Sequence, residues 1–192
     1  MTPRCSRRLS DLITLFLGPL CRWTVFGAAI VFAATAGAGE SDSVVTLDQK
    51  AALSASQAMI GTTPGDFAFL DREGRPVRLS QYRGKPLLVS FIYTGCFQVC
   101  PLTTRSLQTA IEAGRGVFGT SQFNVVSIGF NQPADSPQSL KSFARQYHID
   151  SANWEFLSPA GSSVARLTKE FGFSYLPTPA GFDHILQVTL LD

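Results

Sequence analysis

The chain has 192 residues, of which 45% are hydrophobic and 16% are charged, a balance that supports a folded core and excludes global disorder. The length fits one domain plus a targeting segment. The formal net charge is +2, and four arginines lie ahead of residue 40, so the rest of the chain is close to neutral. That excludes a nucleic-acid-binding protein, which needs a clustered basic face.

The N-terminus has the pattern of an export signal. Basic residues precede the apolar run "WTVFGAAIVFAATA", and Ala36-Gly37-Ala38 fits the A-x-A cleavage pattern. The run has 14 residues, fewer than the roughly 20 that a membrane span needs. We predict that residues 1–39 are a signal peptide or an N-terminal membrane anchor. Cys5 and Cys21 fall within this segment.

The predicted elements begin with an N-terminal helical extension, residues 40–60, in which "LDQKAALSASQAMIG" forms a short helix ending at Gly61. Residues 67–82 alternate apolar and polar side chains around a turn at residues 71–74, which is typical of a β-hairpin. The apolar run "KPLLVSFIY" is rich in β-formers and predicts a strand buried on both faces.

Helices and strands then alternate to the end of the chain. "PLTTRSLQTAIEAG" predicts an amphipathic helix with Pro101 at its first position and Gly114 at its end. A second buried strand, "FNVVSIGFN", precedes a helix with Ser136 as N-cap and Pro137 at its first position. A short strand "WEFLS", a helix closed by Gly172 and a last strand "DHILQVTLLD" follow. This order predicts an α/β sandwich around a mostly parallel central sheet.

Cys96 and Cys100 lie between the first buried strand and the next helix. Ligands bind at this end of the strands in open α/β sheets. The partial positive charge of the helix N-terminus predicts a lowered thiol pKa at Cys100. The two thiols could form a disulfide or hold one soft metal ion. A purely structural disulfide would add only roughly 2 kcal/mol, because the loop that it closes is short.

Two sulfurs are an incomplete site for copper or zinc, and the chain has two histidines. His148 ends a predicted helix and is expected to face solvent. His184 precedes the last predicted strand, after the proline-rich "SYLPTPAG", which we predict to be flexible, and the adjacent Asp183 could orient its imidazole. A Cys2His set suits Cu(I) through its sulfurs and tolerates Cu(II) through the imidazole, whereas zinc usually requires a fourth ligand.

The stretch "GDFAFLDREGRPVRLSQYRGKPLLVSFIYTGCFQVCP" resembles the Sco/SenC family, thioredoxin-like copper proteins of the bacterial periplasm and the mitochondrial inner membrane. The similarity extends through "FNVVSIGFNQPADSP" and "GFDHILQVTLLD", over residues 61–192. Its motifs are Gly-Lys-Pro before the strand, C-x-x-x-C-P after it, and Asp-His far downstream. For residues 61–192 the resemblance implies a thioredoxin-like three-layer sandwich with a central mixed sheet and an N-terminal hairpin. It also implies copper bound by Cys96, Cys100 and His184.

The resemblance implies a function and partners as well. Family members deliver copper to, or reduce the cysteines of, the copper site of cytochrome oxidase and related terminal enzymes. The expected partners are therefore the copper-site subunit of such an enzyme and a thiol–disulfide reductant, and the expected role is a metallochaperone more than an enzyme. The expected location is the periplasm, soluble after cleavage or anchored to the inner membrane. The alternative is a periplasmic thiol–disulfide reductase without an obligatory metal. A peroxidase is disfavoured, because the threonine-and-cysteine arrangement of peroxiredoxins is not evident.

Three departures from the family pattern stand out. Many members have proline and an acidic residue within the cysteine loop, where this chain has Phe97-Gln98-Val99. Many have Asp-Pro after the second strand, where this chain has Asn131-Gln132-Pro133. The less acidic site predicts a different copper affinity or partner choice. The family usually continues past "TLLD" with a further strand and helix, so we expect a C-terminally short domain with an open sheet edge that favours association.

Overall fold

The computed structural model describes residues 45–97, 99–119 and 122–192. The predicted leader, residues 1–39, lies outside these ranges, as do residues 40–44 of the predicted extension. None of the helices in the described ranges has the length and apolar composition that crossing a bilayer requires.

Helix α1, Gln49–Gln57, is the first element of the described part. The Asp48 carboxylate caps it by accepting the Ala51 N–H, one of the amides that a helix start leaves without a partner. The predicted helix is therefore confirmed in type, but it is shorter than predicted. The chain leaves the helix after Gln57 and turns at Gly61, whose φ of 78° is a conformation that glycine adopts without steric cost.

Six strands form one mixed sheet in the order β2-β1-β5-β4-β3-β8. Their bounds are β1 Ala68–Leu70, β2 Pro76–Arg78, β3 Leu87–Ile92, β4 Asn124–Gly129, β5 Trp154–Pro159 and β8 Val188–Leu191. Strands β3, β4 and β5 are parallel, whereas β1 pairs antiparallel with β5 and β8 pairs antiparallel with β3. Strands β1 and β2 confirm the predicted N-terminal hairpin, which leads into a 3₁₀ turn at Leu79–Tyr82.

Helices cover both faces of this sheet and give it three layers. The remaining helices are α2 Val99–Phe118, α3 Pro137–Gln146 and α4 Gly161–Glu170. Core residues of α1 and α4 pack on one face, and those of α3 and of the later turns of α2 pack on the other, while Cys100, in the first turn of α2, belongs to the first core. Along β3, Val89 and Phe91 enter the first core while Ile92 enters the second, which is why this run is apolar throughout. The predicted thioredoxin-like sandwich with a mixed sheet is confirmed.

Helix α2 differs from its prediction at both ends. It begins at Val99, so Pro101 lies inside the first turn, where a missing N–H removes no helical hydrogen bond. The helix also runs past Gly114, where an added Cβ would lie 3.8 Å from the Phe123 ring. The chain leaves the helix at Gly119, whose φ is 82°. A glycine within a helix lowers its stability without ending it when tertiary packing holds the helix in place.

The predicted flexible segment and the predicted last strand are both corrected by the structure. "SYLPTPAG" contains strand β6, Tyr175–Thr178, which pairs antiparallel with β7, Gly181–His184. This hairpin is ordered by aromatic packing, with the Tyr175 ring 4.8 Å from that of Phe130. The predicted strand over residues 183–192 is therefore split between β7 and β8.

Candidate metal centre

The two cysteines lie where β3 passes into α2, as the sequence predicted. A turn closes with a hydrogen bond from Cys96 N–H to the Tyr93 carbonyl at 3.2 Å, and α2 begins three residues later. Cys96 is 7% exposed and Cys100 is 2% exposed. The N–H of Cys100 donates to Cys96 Sγ at 3.1 Å, so an amide of the first helical turn points at the Cys96 sulfur. The two residues carry thiols and not a disulfide.

The predicted pKa of Cys100 is wrong in direction. Burial raises the pKa of the Cys100 thiol to about 12, the neighbouring Cys96 thiol adds to the rise, and a hydrogen bond with the Tyr93 backbone opposes it. A thiolate is costly in an apolar environment, and this desolvation is the largest cause of the raised pKa. The amide that the helix offers is directed to Cys96 instead.

His184 reaches this site although 84 positions separate it from Cys100. It is the last residue of β7, and its Nε2 atom lies 3.9 Å from Cys100 Sγ. Its Nδ1 atom lies 3.1 Å from the Ile185 carbonyl oxygen. A tautomer with the proton on Nδ1 donates to that carbonyl and leaves the Nε2 lone pair directed at the cysteine side. The second histidine, His148, is exposed just after α3.

Asp183 has a different contact from the one predicted. Its carboxylate accepts the N–H of Leu47 at 2.9 Å, while the Ile185 carbonyl is the partner of the imidazole Nδ1. Asp183 thus fixes the segment ahead of α1 to strand β7, next to His184. Leu47 packs against the core that contains both cysteines. Gln49 and Leu53 of α1 line the groove that reaches Cys96 and His184.

Cys100 contacts each of the other two predicted donors, through its N–H to Cys96 Sγ and through its Sγ to His184 Nε2. Two ligand atoms that share a metal at about 2.0–2.3 Å lie about 3.5–4 Å apart, so the observed separation of Cys100 and His184 suits a shared ion. Across the described ranges, no three or more His, Cys, Asp and Glu side chains are gathered closely enough to hold a metal. A three-ligand site therefore requires the predicted donors to move closer together.

A buried carboxylate that we did not predict supports the cysteine loop. Asp135 has 0% exposure, and its Oδ1 accepts both the N–H and the hydroxyl of Thr94 at 2.8 Å, two residues before Cys96. Its Oδ2 accepts the Asn131 N–H at 2.8 Å. Burial raises the pKa of Asp135, and these hydrogen bonds oppose the rise. In the sequence, the signal that could have drawn attention to Asp135 is its position directly before Ser136, the N-cap of α3.

The mouth of the site is apolar. Phe97, between the two cysteines, is 92% exposed, and Leu186, after His184, is 60% exposed. Both residues line an open groove of about 800 Å³ that reaches Cys96 and His184. Another molecule can therefore approach Cys96 and His184 through this groove.

Known proteins with similar sequences include a SCO1 homolog and a peroxiredoxin. The SCO1 protein homolog of Bacillus subtilis (strain 168) is 27% identical over 125 residues, which cover 63% of this chain and 62% of that protein. The chloroplastic peroxiredoxin Q of Sedum lineare is 34% identical over 116 residues, which cover 58% of this chain and 53% of that protein. The chain thus matches less than two thirds of either relative.

A solved structure agrees with the fold. Bradyrhizobium japonicum ScoI, with copper bound, matches with a TM-score of 0.58 at 24% identity, covering 68% of this chain and 83% of that one. At this identity the likeness shows the shared fold. The family model described as SCO1/SenC matches residues 56–192, which include the cysteine loop, the β6–β7 hairpin and His184. The chain therefore belongs to the SCO1/SenC family.

Proposed function

We propose that this protein is a copper-binding assembly factor that delivers copper to the copper site of a terminal respiratory oxidase or a related enzyme, reduces the cysteines of that site, or does both. The observation that carries the proposal is the contact of His184 Nε2 with Cys100 Sγ. The N–H of the same Cys100, in the first turn of α2, donates to Cys96 Sγ. Membership of the SCO1/SenC family supports it. Copper is the cargo of this protein.

The donor set suits copper in either oxidation state. We assign Cys96 and Cys100 as the thiolate ligands and His184 as the nitrogen ligand, because soft sulfurs favour Cu(I) and imidazole also tolerates Cu(II). Burial keeps the metal-free Cys100 thiol protonated, since it raises the pKa to about 12. Loading must therefore release that proton, and copper affinity should rise with pH.

The test is an anaerobic Cu(I) titration of residues 40–192 in the reduced state, with a competing chelator as indicator. We expect one copper per chain and loss of binding in Cys96→Ser and Cys100→Ser. Binding in His184→Ala should be at least about tenfold weaker, because even the loss of a residue that hydrogen-bonds to a metal ligand costs about 10- to 100-fold in metal affinity. His148→Ala is the matched control, since His148 is exposed and follows α3. Equal affinity in His184→Ala and His148→Ala would remove His184 from the site.

A thiol–disulfide reductase without an obligatory metal is the second candidate. The adjacent thiols and the similarity to peroxiredoxin Q favour it. In this reaction Cys96 and Cys100 each lose a proton and together give two electrons to a partner disulfide, which leaves as two thiols while a Cys96–Cys100 disulfide forms. Turnover of a disulfide peptide that is unchanged by a copper chelator and by His184→Ala supports this candidate. Loss of turnover in His184→Ala counts against it.

We place the protein in the periplasm, either free or held at the inner membrane by residues 1–39. The basic residues, the apolar run and the A-x-A pattern support export. The partner is then the copper-site subunit of a terminal enzyme, and a thiol–disulfide reductant regenerates the thiols. Fractionation of cells that express the full chain, with mass determination of the mature N-terminus, tests the location. Recovery of the unprocessed chain in the cytoplasm contradicts it.

A further inference from the structure

Asp183 joins the hairpin that carries His184 to the segment ahead of α1. Its Oδ2 atom accepts the N–H of Leu47 at 2.9 Å, in a partly buried hydrogen bond between residues 136 positions apart. Side chains alternate between the two faces of a strand, so Asp183 lies on the opposite face of β7 from Phe182 and His184. The hydrogen bond therefore holds β7 on the face that the candidate metal ligand does not use.

The β6–β7 hairpin depends on contacts of this kind for its position. It forms a separate two-stranded sheet, and a two-stranded hairpin by itself is marginally stable. The rings of Phe182 and His184 pack on Phe130 at 5.3 and 6.0 Å, which holds one face of β7. The hydrogen bond from the Phe182 N–H to the Tyr93 hydroxyl is long, at 3.4 Å. The shorter hydrogen bond from the Leu47 N–H holds the other face.

The Leu47 N–H is itself held in place by the packing of α1. Leu47 packs against the core, and the next residue, Asp48, caps α1. Helix α1 lies so close to the chain after α4 that a Cβ on Gly172 would lie 2.5 Å from the Ala55 carbonyl oxygen. The Leu47 N–H is therefore a fixed donor, and the Asp183 carboxylate that it bonds sets the position of β7.

We propose that Asp183 is a positioning residue for His184. Through the Leu47 N–H it holds the end of β7 at the position where His184 Nε2 lies 3.9 Å from Cys100 Sγ. The proposal rests on the proposed role of the two cysteines and His184 in binding copper. Asp183 acts through the position of the strand, because its carboxylate bonds to Leu47 while the imidazole Nδ1 lies beside the Ile185 carbonyl oxygen.

The first measurement is amide hydrogen exchange, followed by NMR, in the reduced, metal-free protein of residues 40–192. In Asp183→Ala, loss of the hydrogen bond should speed exchange of the Leu47 amide and of the β6–β7 amides by about three- to tenfold. Asp183→Asn keeps a side-chain oxygen as acceptor and should stay within about twofold of the parent. The matched control is Asp66→Ala, because the Asp66 carboxylate also accepts a backbone N–H, that of Ser80 at 2.9 Å.

The second measurement is the anaerobic Cu(I) titration of the same variants. Copper affinity should fall by about three- to tenfold in Asp183→Ala, because His184 is held less firmly near Cys100, and should be retained in Asp183→Asn and Asp66→Ala. Adding Asp183→Ala to His184→Ala should cause no further loss, since two substitutions that act through one group are not additive.

Unchanged exchange of the β6–β7 amides in Asp183→Ala overturns the proposal. An equal loss of affinity in Asp183→Asn and Asp183→Ala also overturns it, because the charge would then account for the effect. A further loss in the double variant does so too, since Asp183 would then act apart from His184. If the parent binds no copper, the copper function fails and the exchange rates alone decide the role of Asp183. If copper binds as expected while Asp183→Ala changes neither exchange nor affinity, the copper function stands and the proposal about Asp183 fails.

Discussion

Replacing Asp135 by alanine should destabilise the domain and loosen the cysteine loop. In the native state the carboxylate accepts three hydrogen bonds, from the Thr94 N–H, the Thr94 hydroxyl and the Asn131 N–H, each at 2.8 Å. The alanine variant leaves two part-buried backbone N–H groups without this acceptor, because only the hydroxyl can rotate to another partner. Thr94 lies two residues from Cys96, so its release should reach the site.

The magnitude follows from two opposing terms. A fully buried N–H that loses its acceptor costs about 1–3 kcal/mol, so about 2–6 kcal/mol is the upper range for this part-buried pair. The carboxylate itself is held at a cost, because burial raises the pKa of Asp135, and removing the charge recovers part of that cost. We expect a net loss of about 2–4 kcal/mol in the free energy of unfolding.

Urea unfolding at neutral pH, followed by circular dichroism, measures this change. The urea midpoint should fall with little change in slope, and Asp150→Ala, at an exposed position, should leave it within about 0.5 kcal/mol. Copper affinity should fall in Asp135→Ala as well, since the Cys96 loop loses its anchor. A stability loss below about 0.5 kcal/mol in Asp135→Ala would show that the three hydrogen bonds do not support the loop as argued.

Two further predictions concern Cys100 and Gly172. Burial raises the pKa of Cys100 from 9.0 to about 12, so the folded metal-free domain binds this proton more tightly than the unfolded chain. The contribution of this proton to the free energy of unfolding is complete below pH 9 and is lost as pH rises toward 12, at up to about 1.4 kcal/mol per pH unit. Over this pH range the urea midpoint of Cys100→Ser should therefore fall less than that of the parent protein. A parallel decline in both proteins contradicts the assignment. Gly172→Ala should cost about 2 kcal/mol or more, because its φ is 63° and the new Cβ would lie 2.5 Å from the Ala55 carbonyl oxygen. Thermal unfolding and limited proteolysis of α1 measure this effect, and an unchanged melting temperature would show that α1 adjusts freely.

The sequence predicted the element types well where local chemistry decides them. Ser136 and Pro137 begin α3 as predicted, because the hydroxyl cap and the proline act within one helical turn. The continuous apolar run of β3 predicted a strand covered on both faces, and both cores confirm it. The limits of α2 were not predictable in the same way, since Gly114 remains helical against Phe123, a contact from outside the helix.

The position of the cysteine pair followed from the sequence alone, because a thiol loop between a buried strand and a helix lies at the ligand-binding edge of such a sheet. Tertiary structure decided the rest of the site. His184 meets Cys100 only because the β6–β7 hairpin folds over that edge, and no local pattern encodes a contact across 84 positions. The pKa of Cys100 also depends on burial by distant elements, which reverses the effect expected from the helix N-terminus. Local patterns thus identified the candidate site residues, whereas long-range packing determined their distances, their partners and their protonation.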